Sequence, residues 1–105
     1  MSAGYEIIDV WMQHPTMKFG NHQMFDSLRR WTGQEKLSAE LPLELTISLM
    51  DQAHVSRSLI CAWWSPTGPL ISNDEVAAYV QQYPGRLVGV ASANLYRPME
   101  AVREL

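Results

Sequence analysis

The chain has 105 residues and a formal net charge of -3, with 47% hydrophobic and 18% charged residues, and these values predict one small folded domain. No basic cluster is present, so we expect no nucleic-acid partner. No apolar stretch approaches the roughly 20 residues of a membrane span, and residues 1–6 lack the features of a signal peptide, so we expect a cytoplasmic protein without a membrane partner.

The first half of the chain predicts a strand followed by a long helix. Residues 5–12, "YEIIDVWM", are apolar at both odd and even positions except for Asp9. This pattern is typical of a strand buried on both faces. Residues 41–54 predict a helix, with Pro42 in its first turn. The predicted buried face of this helix carries Leu45, Leu49 and Ala53 at four-residue steps, with Ile47 and Met50 beside them.

A second continuous apolar run follows that helix. Residues 57–64, "RSLICAWW", predict a second strand, and the prolines and glycine of "SPTGP" at 65–69 predict a loop after it. Cys61 lies inside the run, which favours a buried structural thiol in a reducing compartment.

The last third repeats the alternation of helix and strand. Ser72 and Glu75 have the spacing of a capping box, and the helix that they begin is expected to end near 84–85. Residues 86–95, "RLVGVASANL", predict a third strand, and a further helix begins near Pro98. This order predicts a parallel α/β sheet with right-handed crossovers.

One connection, residues 15–40, is much longer than the usual two to six residues. Within it, "QMFDSLRRWTG" ends on Gly33 and predicts a short helix packed over the sheet. The apolar residues at helical spacing are Met24, Phe25, Leu28 and Trp31.

The segments "IIDVWMQHP", "SRSLICAWW" and "YPGRLVGVASANLYRPMEAVREL", in this order, resemble the amino-terminal third of the amidohydrolase-related family. This metal-dependent branch includes aminocarboxymuconate semialdehyde decarboxylase and γ-resorcylate decarboxylase. The resemblance implies a parallel (β/α)8 TIM barrel, of which residues 1–105 form a single partial domain with about three strands and two to three helices. The connection 15–40 would then be a loop on the active face.

The resemblance also implies a divalent metal, most often zinc, held by a His-x-His pair at the end of the first strand. At these two positions the chain has Trp11 and Gln13, and neither is a normal zinc ligand. We therefore expect these two side chains to contact substrate, and the metal is doubtful here. His14 is the remaining candidate ligand. In a regular strand, however, its side chain would point to the face opposite that of positions 11 and 13.

Three interpretations of His14 are open. It is a shifted metal ligand if the strand bulges, a metal-free acid-base group at the mouth of the site, or a structural histidine hydrogen-bonded under the long loop. Asp9 is a candidate catalytic group that orients the residues above it, and the alternative is a structural hydrogen bond to the backbone.

The ends of the second and third predicted strands supply the other candidate substrate-binding residues. Trp63 and Trp64 offer stacking surface for an aromatic or unsaturated acid, with plain packing as the alternative. Asn94 and Arg97 follow the third strand, where Arg97 is either a clamp for a substrate carboxylate or an ordinary surface arginine.

The resulting functional prediction is a hydrolase or nonoxidative decarboxylase of a small organic acid or ring compound, active as the intact barrel and not as these 105 residues alone. Three strands outside a closed barrel leave two unpaired edges and an uncovered apolar face. We therefore expect either the remainder of the barrel or an identical copy to cover them. The alternative is a non-catalytic α/β module that dimerises through its sheet edges and binds a partner or ligand beside the Trp pair.

Overall fold

A computed structural model describes residues 4–104 as a mixed α/β fold. The strands are β1 (Ile8–Met12), β2 (Arg57–Cys61), β3 (Trp63–Ser65), β4 (Gly68–Ile71) and β5 (Leu87–Val90). The helices are α1 (Met17–Gly20), α2 (Asp26–Thr32), α3 (Leu43–Gln52), α4 (Asn73–Gln82) and α5 (Pro98–Glu104), with a 3₁₀ turn at Gln23–Phe25. No helix within residues 4–104 has the length and apolar character needed to cross a membrane.

Three strands form a parallel sheet in the order β1-β2-β5, which confirms the predicted α/β class and the parallel pairing. Ser58 in the central strand pairs with Asp9 on one side and with Leu87 on the other. Within residues 4–104 the sheet does not close into a barrel, and β1 and β5 are its two edges.

The two long helices meet on one face of the sheet. α4 packs closely on β5, since a Cβ atom added to Gly89 would lie 3.1 Å from Val76 Cγ1. The ring of His14 contacts both helices, through a hydrogen bond to Thr46 of α3 and an edge contact with Tyr79 of α4. The helices therefore cover the same side of the strands.

The predicted burial of β1 on both faces is wrong. Val10 is 68% exposed and Trp11 is 63% exposed, and Ile8 is exposed as well. β1 lies at the sheet edge, where it pairs only with β2, and no part of residues 4–104 covers its face opposite the helices. Val88 of β5 is also exposed, so the apolar face opposite the helices is open, as predicted for three strands outside a barrel.

The predicted buried face of α3 is confirmed for Ile47 and Met50 and is wrong for Leu45, Leu49 and Ala53, which are exposed. The residues of α3 that are buried lie on a neighbouring stripe: Leu43, Thr46, Ile47 and Met50. Pro42 precedes the helix as its N-cap residue. The apolar residues of this stripe join the main core, which is centred on Ile60 of β2 and Leu87 of β5.

The second apolar run does not continue as one strand to residue 64. β2 ends at Cys61, which is buried as predicted, and the chain then turns into the antiparallel hairpin β3–β4. This hairpin replaces the predicted loop at 65–69. Gly68 has a φ of +138°, a conformation that favours glycine. β5 likewise ends at Val90, earlier than the predicted boundary at 95.

The helix predicted in the long connection is present as the 3₁₀ turn and α2, and Gly33 ends α2 with a φ of +71°. Its predicted packing is confirmed only for Phe25, which packs against the core. It is wrong for Met24, Leu28 and Trp31, which are exposed. Phe19 of α1 is instead the buried aromatic of this connection, with its ring centroid 5.2 Å from that of Trp63.

Candidate functional site

The predicted site residues other than Arg97 lie in three places in the structure, and an irregularity in β1 separates Trp11 from Gln13. Asp9 pairs with Ser58 and Met12 pairs with Ile60, so three steps along β1 correspond to two along β2. Such a bulge breaks the alternation of side chains that a regular strand would have. As a result, Trp11 and Gln13 line different cavities and do not form a pair.

The first place is a cavity of about 200 Å³ at the carboxyl ends of the parallel strands, here called the aromatic cavity. Its walls come from β1 and from the segments directly after β2 and β5: Trp11, Ala62, Trp63, Trp64 and Ser92. The rings of Trp11 and Trp63 meet edge to face, with centroids 6.4 Å apart. The structure thus brings three predicted substrate-binding residues together.

A neighbouring cavity of about 360 Å³ adjoins the aromatic cavity. It is lined by residues of the hairpin and of the segment after β5. Trp64 and Ser92 line both cavities, and Asn94 lines this one. Asn94 Oδ1 accepts a hydrogen bond from the backbone N–H of Tyr96, which orders the turn before α5.

Ser92 is a site residue that the sequence interpretation missed. The backbone of Ser92 is fixed by Asn73, the first residue of α4: Asn73 Oδ1 accepts from Ser92 N–H and Asn73 Nδ2 donates to the Ser92 carbonyl, each at 2.9 Å. These residues are 19 positions apart, and no sequence spacing connects them. The capping box predicts where α4 begins, but it does not predict the contact between Asn73 and Ser92.

Arg97 is not among the residues that line either of these cavities. Its side chain is 68% exposed and pairs with Glu100 at 3.2 Å, one turn further along α5. This pairing matches the surface-arginine interpretation, and a role in binding a substrate carboxylate stays a prediction.

The second place is a cavity of about 290 Å³ between β1 and α3, here called the α3 cavity. Both Asp9 and Gln13 line it. Asp9 Oδ1 accepts a hydrogen bond from the backbone N–H of Trp11 at 3.1 Å, the local structural bond that was one of its two interpretations. Gln13 Nε2 is buried, and no residue of 4–104 offers it a hydrogen-bond partner.

His14 occupies the third place, inside the core beneath the long connection, with 3% of its surface exposed. Its Nε2 donates to the carbonyl oxygen of Leu41 at 2.9 Å, because a carbonyl can only accept. Its Nδ1 lies 2.6 Å from Thr46 Oγ1, so in the neutral ring the Thr46 hydroxyl donates to it. Both ring nitrogens are engaged, which matches the structural interpretation of His14.

Tyr79 is the group of this region with a perturbed pKa. Burial raises the pKa of its phenol above the usual value, and the nearby carboxylates of Glu75 and Glu40 raise the pKa further. The ring of Tyr79 meets that of His14 edge to face at 5.3 Å. Tyr79 therefore remains a neutral phenol at ordinary pH.

The residues present do not fit the expected divalent metal. Within residues 4–104, no group of three or more His, Cys, Asp or Glu side chains is placed to hold an ion. His14 would have to give up a hydrogen bond to Leu41 or Thr46 to coordinate one. Trp11 and Gln13, at the positions of the expected ligand pair, lie in separate cavities.

Comparison of the chain with protein-family models, with curated proteins and with solved structures gives no match in any of the three. The resemblance to amidohydrolase-related proteins stays a prediction.

Proposed function

We propose that this chain forms the first part of an amidohydrolase-related (β/α)8 enzyme, and that its aromatic cavity is part of the pocket for a small organic acid or ring compound. The observation that carries the proposal is the position of this cavity. Its walls come from the carboxyl ends of all three parallel strands, or from the residues that directly follow them. In (β/α)8 enzymes the active site lies at that end of the strands.

The strand order supports a barrel origin of the sheet. β1, β2 and β5 lie side by side in chain order, and the two crossover helices share one face. In doubly wound sheets the strand order reverses and helices cover both faces. A sheet that proceeds in one direction, with an apolar second face, matches three consecutive strands of a barrel whose second face would point to the barrel interior.

The chemistry that these residues can supply is binding and orientation. Trp63 and Trp64 offer flat apolar surface to a planar ring, and Ser92 and Asn94 are polar residues on the connected walls. In the intact enzyme the reaction would be hydrolysis of a C–N or related bond, or nonoxidative decarboxylation.

A binding experiment tests the pocket. Benzoate, a planar aromatic acid, is titrated into the protein by calorimetry, and the Trp64→Leu variant is compared with it. Loss of one stacking surface is expected to weaken binding about three- to tenfold. Trp31→Leu is the matched control, because this tryptophan is exposed on α2 and lines neither cavity. Equal benzoate affinity of the Trp64 variant and the original protein would contradict the proposal.

The enzyme assignment is tested separately through the coding sequence that follows the codon for Leu105. A continuous frame with a strand-end histidine and a late aspartate supports it, and the encoded protein can then be assayed for decarboxylation of aromatic acids. A stop codon at this position, together with a stable folded product, would contradict it.

The open strands support the second candidate, a non-catalytic module that dimerises through its sheet edges. Ile8 and Val10 on β1 and Val88 on β5 are exposed apolar residues of the two edge strands. A monodisperse dimer in sedimentation experiments, dissociated by Val10→Lys, would favour this module over the enzyme fragment.

A further inference from the structure

We propose that the long connection, residues 15–40, shapes the aromatic cavity, with Phe19 as the residue that positions the ring of Trp63. This role rests on the proposed function, because it concerns the binding of a ligand in that cavity. Phe19 itself lines neither the aromatic cavity nor the neighbouring one. It therefore acts through Trp63, as a positioning residue.

Ring contacts connect Phe19 to the wall of the aromatic cavity. The ring centroid of Phe19 is 5.2 Å from that of Trp63, and the centroid of Trp63 is 6.4 Å from that of Trp11. Phe19 is buried in the main core, whereas Trp11 is exposed on the cavity wall. Trp63 thus lies between a buried ring and an exposed ring. Because closely packed core rings have few alternative positions, Phe19 restricts the orientation of Trp63.

A pair of reciprocal hydrogen bonds, here called the clasp, holds the helix that carries Phe19. Asn21 directly follows α1 and pairs with the backbone of Leu37 in both directions. Its Oδ1 accepts from the Leu37 N–H at 2.7 Å, and its Nδ2 donates to the Leu37 carbonyl at 2.9 Å. A further bond runs from the N–H of Met17 to Glu40 Oε1 at 2.7 Å. The start of the connection is therefore tied to its end.

The position of α1 against the hairpin links the connection to the cavity wall. α1 packs against β4, and β4 pairs with β3, the strand that carries Trp63 and Trp64. The connection thus contacts the same hairpin that supplies two of the three tryptophans of the cavity. A displacement of α1 would change the surface that these rings present to a ligand.

The test compares Phe19→Leu with Phe25→Leu as the matched control. Both changes remove one ring from the same connection, since Phe25 meets Phe19 at 5.3 Å and packs against the same core. The readout is the indole N–H signal of Trp11 in NMR spectra of the ligand-free protein, because Trp63 is the ring that meets Trp11. Phe19→Leu is expected to shift this signal, and Phe25→Leu is expected to leave it unchanged.

Calorimetric titration with benzoate measures the effect on binding. Phe19→Leu is expected to weaken benzoate binding about three- to tenfold, because Trp63 is no longer held in the orientation that stacks on the ligand. Phe25→Leu is expected to remain within about twofold of the original protein.

A second variant opens the clasp and leaves the core residues unchanged. Asn21→Ala removes both hydrogen bonds to Leu37 and is expected to shift the Trp11 signal and to weaken benzoate binding about two- to threefold. Its control is Thr32→Ala, which removes a hydrogen bond to the Leu28 carbonyl at the end of α2 in the same connection. This control is expected to change neither the signal nor the affinity.

An unchanged Trp11 signal in Phe19→Leu would overturn the positioning role, and an unchanged benzoate affinity would overturn its part in binding. Equal effects of Phe19→Leu and Phe25→Leu would also overturn it, because a general loosening of the core would explain both. Failure of benzoate to bind the original protein would contradict the proposed function alone, since the Trp11 signal tests the positioning without ligand. Thermal melting verifies that each variant is folded, and Asn21→Ala provides the test if Phe19→Leu does not fold.

Discussion

Replacement of His14 by phenylalanine tests the structural role of the buried ring most directly. Phenylalanine keeps an aromatic ring that can meet Tyr79 edge to face, but it can neither donate to the Leu41 carbonyl nor accept from the Thr46 hydroxyl. Each buried group left without a partner costs about 1–3 kcal/mol. The two losses together are expected to lower the free energy of unfolding by about 2–6 kcal/mol, a large part of the 5–15 kcal/mol that is usual for a domain.

Urea denaturation followed by circular dichroism measures this change. Thr46→Val removes one of the two hydrogen bonds and is expected to cost about 1–2 kcal/mol. Because His14 and Thr46 are in contact, the double variant is expected to cost less than the sum of the single variants, by about 1 kcal/mol. This coupling energy separates the hydrogen bond from other effects of the substitutions.

A loss below about 0.5 kcal/mol in His14→Phe would refute the structural interpretation, because a surface substitution has an effect of that size. Zinc provides a second criterion. A ligand that binds only the folded state raises the unfolding midpoint, so stabilisation of the original protein but not of His14→Phe by zinc would identify His14 as a metal ligand.

Three further changes test the surroundings of α4. Ser72→Ala removes the hydroxyl that caps the first turn and is expected to lower the unfolding free energy by about 1 kcal/mol in urea titrations; no change would contradict the cap. Gly89→Val adds side-chain atoms where a Cβ already lies 3.1 Å from Val76, so it is expected to cost about 1–3 kcal/mol. Gly85→Val, with nothing within 4 Å of the added Cβ, is the control. The raised pKa of Tyr79 means that the unfolded chain releases this proton first, so stability is expected to fall as pH rises above about 10. Tyr79→Phe should show a smaller fall between about pH 9 and pH 11, and an identical fall would contradict the raised pKa.

Local signals explain the elements that the sequence predicted correctly. The capping box of Ser72 and Glu75 is present at the start of α4, and Gly33 ends α2 in the left-handed conformation that glycine favours. The alternation of apolar runs and helical periodicity was enough for the parallel α/β class. Each of these features depends on residues that are near one another in the chain.

The hairpin was missed because its sequence carries signals against a strand. Proline cannot donate to a ladder, and "SPTGP" contains two prolines. In the structure Pro69 lies opposite Trp64 in a sheet of only two strands, where each strand is an edge and a missing N–H can face away from the partner. The contact between Asn73 and Ser92 was missed for a different reason, since it arises only when α4 packs on β5.

The errors at β1 and α3 share one physical cause. Both segments are apolar on more sides than residues 4–104 bury. Their composition therefore predicts burial of faces that this part of the chain leaves exposed. On β1 the exposed face belongs to the sheet side opposite the helices, which the proposed barrel would enclose with further strands. On α3, Leu45 and Leu49 border a cavity between this helix and β1 that residues 4–104 leave open. An apolar surface alone fits any hydrophobic cover, so the exposed residues of β1 and α3 show where cover is missing and not what supplies it.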